Sequence, residues 1–146
     1  MSKIKDNQKD YIDREVRERM KTALEQKHTS VSLEHELSNK NFHPMGIRDK
    51  NNRLLFHEEL LRKLKDVNSC TWKDYGKRDK RTGYESIPFS QFQKGLKSSF
   101  KQTNIVTPDS KLDVIRVTDD YRMIGKYLNG VYHILAFDLD FSAYKH

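Results

Sequence analysis

Tyr144 and His146 stand two residues apart at the end of the sequence, so an extended backbone points both to one side. A phenol and an imidazole facing an arginine suit phosphodiester chemistry. One group takes the proton of a ribose 2′-hydroxyl, another protonates the leaving 5′-oxygen, and the guanidinium steadies the extra charge on phosphorus. No metal is needed when the 2′-hydroxyl is the nucleophile. Arg116 and Arg122 are the arginines nearest in sequence. The plain alternative is a frayed, idle terminal histidine.

A second constellation is basic and aromatic. Lys73, Lys77, Arg78, Lys80 and Arg81, then Lys94, Lys97 and Lys101, have the side chains to line one groove and grip phosphates. Lys126 and His133 extend it. Tyr121, Tyr127, Tyr132 and Tyr144 offer rings for base stacking. A strand tyrosine is more commonly a good β-former with a wet hydroxyl.

Other chemistries find no support. The histidines (His28, His35, His43, His57, His133 and His146) form no HExxH, and Cys70, the single cysteine, excludes CxxC spacing and an intrachain disulfide. Neither GxxxxGK[ST] nor GxGxxG occurs, which argues against kinase, ATPase and dehydrogenase activity. The expectation is no metal site and no cofactor. Cys70 reads as a small buried hydrophobe.

The 146 residues suit one compact domain with an appended arm. Hydrophobic residues make up 35% and charged ones 34%, yet 10% aromatic content argues against full disorder. No apolar run reaches the length of a membrane span, and the first ten residues have no apolar core of a secretion signal, so a cytoplasmic protein is expected. The net charge of +7 is unevenly placed. Residues 71–101 hold eight basic and three acidic side chains, which points to a polyanion or an acidic protein as partner.

The elements that must position these groups follow from periodicity. Ile12, Val16, Met20 and Leu24 mark an amphipathic helix over Tyr11–Gln26. Ser32 is placed to cap a short helix, Leu33–Leu37. A second amphipathic helix is predicted at about Leu54–Val67, with Leu60, Leu61, Leu64 and Val67 on one side, followed by one further turn at Thr71–Tyr75 and an exposed basic loop at Lys77–Gly83. Pro88 is placed to open a helix reaching Gln102, with Phe89, Phe92, Leu96 and Phe100 on one face and Lys94, Lys97 and Lys101 on the other. Strands follow at Leu112–Val117, Tyr121–Leu128 and Val131–Phe137, with Asn129-Gly130 as a type I′ hairpin turn. A short last strand is expected at Ser142–Lys145. The class is α+β, helices packed on a small twisted antiparallel meander. The predicted organisation is a helical arm over 1–40 and an α+β domain over 41–146.

The segment Arg116-Val117-Thr118-Asp119-Asp120-Tyr121-Arg122-Met123-Ile124 resembles the R-(I/V)-x-x-x-(Y/H)-R-(L/V)-(I/V) segment of the RelE/ParE superfamily of toxin–antitoxin toxins. As in that superfamily, a hairpin and a final Tyr/His-bearing segment follow, so the resemblance covers about the last 35 residues. It implies a RelE-like fold and a metal-independent endoribonuclease that cuts mRNA, often on the ribosome, restrained by an antitoxin. By the same resemblance Arg122 is the catalytic arginine, Arg116 the arginine one strand earlier, and Tyr144 and His146 the terminal pair. Lys94, Lys97 and Lys101 stand for the helix lysines that hold RNA. Two alternatives stay open: a non-catalytic module binding nucleic acid or an acidic protein, of phage or mobile-element origin, and a gyrase-directed toxin of the ParE kind. The two arginines share a site only if the turn between their strands is irregular. A regular turn at Thr118–Tyr121 would set Val117, not Arg116, opposite Arg122.

Overall fold

A computed structural model describes residues 2–37, 39–77 and 83–145, with backbone alone for residues 2–6 and Lys40. Arg78, Lys80, Arg81 and His146 lie outside the described residues. The elements are α1 (Ser2–Glu25), β1 (Ser30–Ser32), α2 (Lys50–Asn68), α3 (Trp72–Lys77), β2 (Tyr84–Pro88), α4 (Lys94–Gln102), β3 (Lys111–Arg116), β4 (Arg122–Leu128) and β5 (Val131–Asp138). The strands form one sheet in the order β1-β5-β4-β3-β2. The pairings β2–β3, β3–β4 and β4–β5 are antiparallel, whereas β1 runs parallel to β5. The class is α+β as expected, but the sheet is mixed and five-stranded.

Side chains alternate across the central strands, so each strand feeds two cores. Leu112, Val114, Ile124 and Ala136 face one side, where Phe89, Phe92, Leu96 and Phe100 bring α4 against the sheet. Ile115, Met123, Tyr132 and Phe137 face the other, against Phe56 and Val67 of α2 and Tyr75 of α3. The molecule is therefore layered: α2 and α3, sheet, α4.

Several expectations need correction. Ser32 caps no helix. Its hydroxyl accepts the Glu34 N–H at 3.2 Å in a turn that follows β1. Thus Ser30–Ser32, from within the first forty residues, forms a sheet edge. Pro88 ends edge strand β2, where its missing N–H costs nothing, and α4 begins only at Lys94. The aromatic row survives because a 3-10 turn over Phe89–Gln91 carries its first member. Helix α2 starts at Lys50, where the Asp49 carboxylate accepts the Asn52 N–H at 2.7 Å. Its Leu61 is exposed rather than packed. Cys70 is half-buried. No final strand forms over Ser142–Lys145, only an isolated bridge from Phe92 to Tyr144. The hairpin turn is as expected: Asn129 has φ 49° and Gly130 φ 86°, both positive as a type I′ turn requires. Helix α1 is exposed along its described side chains, including Ile12, Val16 and Met20.

One buried carboxylate ties β2, β3 and β4 on the α2/α3 side. Asp113 accepts the Tyr84 hydroxyl at 2.9 Å and the Tyr127 N–H at 2.8 Å. Burial pushes its carboxyl up; the Tyr127 N–H, the Tyr84 hydroxyl and the Lys126 ammonium pull it back. A carboxyl raised on folding contributes most below its unfolded value, and that contribution is lost as pH rises through its folded value. In Asp113→Asn, the amide oxygen can accept from Tyr127 while its NH₂ donates to Tyr84. Urea denaturation at about pH 7 and about pH 4 should show wild type gaining on this variant as pH falls. A pH-independent difference contradicts the assignment. Asp113→Ala should cost about 2 kcal/mol, since it orphans a buried N–H.

Candidate anion and phosphodiester site

The connection between β3 and β4 decides where the arginines point. Val117 N–H and Thr118 N–H both donate to Tyr121 O, at 3.0 and 3.2 Å. The Thr118 hydroxyl accepts the N–H groups of Asp120 and Tyr121, at 3.3 and 3.2 Å. This closes a three-residue loop, Thr118 to Asp120, with Val117 opposite Tyr121. The odd count puts Arg116 directly opposite Arg122. The irregular turn on which a shared site depended is present.

Arg116 N–H bonds Gly83 O at 2.9 Å, so toward β4 the two arginines form a non-hydrogen-bonded pair, the closer kind, with Cβ atoms about 5 Å apart. Gly83 has φ +69°, and a Cβ there would fall 2.2 Å from the Arg116 Cβ. Only glycine fits beside this arginine. On the other side Arg122 pairs with Asp138 of β5. A row of Gly83, just before β2, with Arg116, Arg122 and Asp138 of β3, β4 and β5 therefore crosses the sheet on the α4 side.

Arg116 is exposed and Arg122 half-buried. Arg122 Nη1 donates to Asp119 O at 3.3 Å, and its guanidinium carbon lies 4.8 Å from the centre of the Phe141 ring. Among the described residues no carboxylate comes within ion-pair distance of either guanidinium. Like charges directly opposite across strands are destabilising. An anion seated between them removes that penalty and gains bidentate hydrogen bonds.

Two residues inward along the strands, Glu85 of β2 pairs with Val114 and shares the same face. Tyr144 closes over this row. Its ring is 5% exposed and lies 5.4 Å from that of Phe92. Its hydroxyl donates to Glu85 Oε2 at 3.2 Å. Burial, then the Glu85 carboxylate, pushes the phenol well up, while Arg122 opposes the rise. Burial and Glu85 both favour the protonated phenol, which makes Tyr144 a poor proton acceptor. The carboxylate at hand is that of Glu85, unforeseen from sequence. It stands 59 residues from Tyr144, in a strand too short to announce its partner.

The other expected residues disperse. Lys94 and Lys101 are exposed and Lys97 half-buried on α4, in the same layer as the arginines. Lys101 Nζ sits 5.7 Å from the centre of the Phe89 ring. Lys77 ends α3 on the opposite face of the sheet, so it shares no groove with the α4 lysines. Lys126 lies toward the other end of β4, with Nζ donating to Lys111 O at 3.0 Å. His133 is half-buried, with ring centroids 5.5 Å from His35, and burial pushes its imidazole down. Of the tyrosines, Tyr132 is fully buried and Tyr127 stacks on Trp72 at 4.9 Å, so both serve packing. Tyr121 packs edge-on against Phe56. A cavity of about 420 Å³, lined by Asn39, Asn41, Gln93, Ser99, Asp140 and Ser142 among others, adjoins α4 and contains neither arginine. Among the described residues no His, Cys, Asp and Glu gather as a metal-holding group, and no helix is long and apolar enough to cross a membrane.

Comparisons with protein families, with curated proteins and with solved structures return no match.

The arginine pair yields a direct test. Inorganic polyphosphate is expected to raise the melting temperature of the wild type, because it binds the folded state alone. Arg122→Gln and Arg116→Gln should each lose most of that shift. An equal shift in all three proteins would place the anion elsewhere.

Proposed function

We propose that this protein is a toxin-like endoribonuclease that cleaves mRNA through its own 2′-hydroxyl, without a metal, and that an acidic antitoxin restrains it. The observation that carries this reading is the Arg116–Arg122 pair, which has no carboxylate counter-ion among the described residues and stands two residues along the strands from Glu85. Arg122 and Arg116 would hold the scissile phosphate and stabilise the added charge of the transition state. The Glu85 carboxylate would accept the 2′-hydroxyl proton as the 2′-oxygen bonds to phosphorus. Tyr144 would be a positioning residue that fixes Glu85. His146, two residues beyond Tyr144, is the candidate for protonating the 5′-oxygen as its bond to phosphorus breaks. Lys94, Lys97 and Lys101 would extend the electrostatic hold on the RNA backbone, and a chain with this excess of positive charge would attract an acidic partner.

A second reading has one observation in its favour: the Tyr144 ring is a core element, which gives the terminal segment a folding role without catalysis. On that reading the molecule only binds nucleic acid or an acidic protein.

Purified protein should cleave single-stranded RNA in excess EDTA and leave 2′,3′-cyclic phosphate ends. Arg122→Ala and Glu85→Gln should each lower the rate by about a hundredfold or more, and a 2′-deoxy substitution at the cut site should block it. Cleavage that requires a divalent ion, or survives Arg122→Ala, contradicts the nuclease. Tight RNA binding with no cleavage selects the binding module.

A further inference from the structure

The segment after β5 returns across the α4 side, held by several ties. The Asp140 carboxylate accepts the Ser142 N–H at 3.1 Å, and the Asp138 carboxylate accepts the Ala143 N–H at 3.4 Å. Gln93 donates its backbone N–H to Ala143 O at 2.9 Å and its side-chain amide to Ser142 O at 3.2 Å. Tyr144 bridges to Phe92. At the apex of this tied segment Phe141 has φ +61°. Glycine or asparagine takes that left-handed conformation readily, whereas a bulky aromatic residue takes it at a cost. The ring is not sequestered in the core, since Phe141 is 44% exposed. The conformation places the ring 4.8 Å from the guanidinium carbon of Arg122. The flanking ties hold the backbone that presents it.

We propose that Phe141 is a base-stacking residue, receiving the nucleobase next to the phosphate held by Arg116 and Arg122, so that the ligand is a single-stranded RNA. This rests on the reading of the arginine pair as the phosphate seat. Nucleobases stack on aromatic faces whatever their identity, and phosphates take guanidinium donors. One nucleotide carries both groups on a single sugar, and this corner of the sheet offers both partners side by side. A base inside a duplex is already stacked on its neighbours and cannot use the ring; a splayed single strand can. A polyphosphate has nothing to place on Phe141.

The test is binding of a 2′-O-methyl RNA oligonucleotide, which resists cleavage, beside binding of inorganic polyphosphate. The variants are Phe141→Asn, Phe141→Trp and Arg122→Gln. Asparagine suits the left-handed backbone, so Phe141→Asn removes the ring without new strain, and a thermal melt confirms its fold. Phe141→Asn is expected to weaken oligonucleotide binding about tenfold, the loss of one base–aromatic stack. It should leave polyphosphate binding unchanged, and Phe141→Trp should keep both. Arg122→Gln should weaken both ligands. Oligonucleotide affinity untouched by Phe141→Asn, or lost in parallel with polyphosphate affinity, overturns the stacking role. A wild type that binds neither ligand overturns it together with the phosphate seat. If the wild type cleaves RNA while Phe141→Asn binds normally, the nuclease stands and the stacking role falls. If Phe141→Asn shows the selective loss and nothing is cleaved, the reverse holds.

Discussion

The pairing of two arginines across β3 and β4 is the constraint around which the α4 face is arranged. It arises from a count. Three residues in the loop after Val117 put Arg116 opposite Arg122; a four-residue loop would set Val117 opposite Arg122 and send the two arginines to opposite faces of the sheet. Thr118 sets the count by taking two amide N–H groups of the turn. The neighbours conform to the pair. Gly83 has no side chain because Arg116 occupies that space, and Asp138 closes the row on β5. Such a pair is unfavourable in isolation and favourable with an anion between. A fold that keeps it beside a carboxylate and an aromatic ring has the makings of a phosphodiester site.

The roles within that site follow from environment more than from residue type. A tyrosine near an arginine suggests a tyrosine base, since positive charge favours a phenolate. Burial and Glu85 act the other way here and favour the protonated phenol of Tyr144. In the proposed mechanism the proton-accepting role therefore falls to Glu85, which is exposed. Tyr144 meanwhile joins the site to the core, its ring against Phe92 and its hydroxyl on Glu85. The same side chain thus serves packing and positioning.

What the sequence disclosed depended on the range of the interaction. The three strands at the carboxy-terminal end were legible because β-branched and aromatic residues run continuously and Asn129-Gly130 fixes a local turn. The aromatic row Phe89, Phe92, Leu96 and Phe100 was legible as one buried face, although its first part is not α-helical. Strands β1 and β2 escaped notice. Ser30–Ser32 is short and polar, and only β5, a hundred residues on, makes it a strand. Pro88 signals a helix start and an edge-strand end equally well. Glu85 and Phe141 join the site through tertiary placement alone. The groove expected from Lys77 together with Lys94, Lys97 and Lys101 failed because linear charge density ignores which face of the sheet a helix covers. RelE-like kinship remains a proposal carried by the Arg116–Ile124 motif and the α+β class.

The most direct measurement of the central claim is an NMR titration of the arginine Nε–H resonances with a short 2′-O-methyl RNA. Arg116 and Arg122 should shift together and saturate with one common Kd, while Arg53 and Arg62 of α2 stay in place. Independent shifts of the two, or shifts no larger than those of Arg62, would show that the pair holds no shared phosphate.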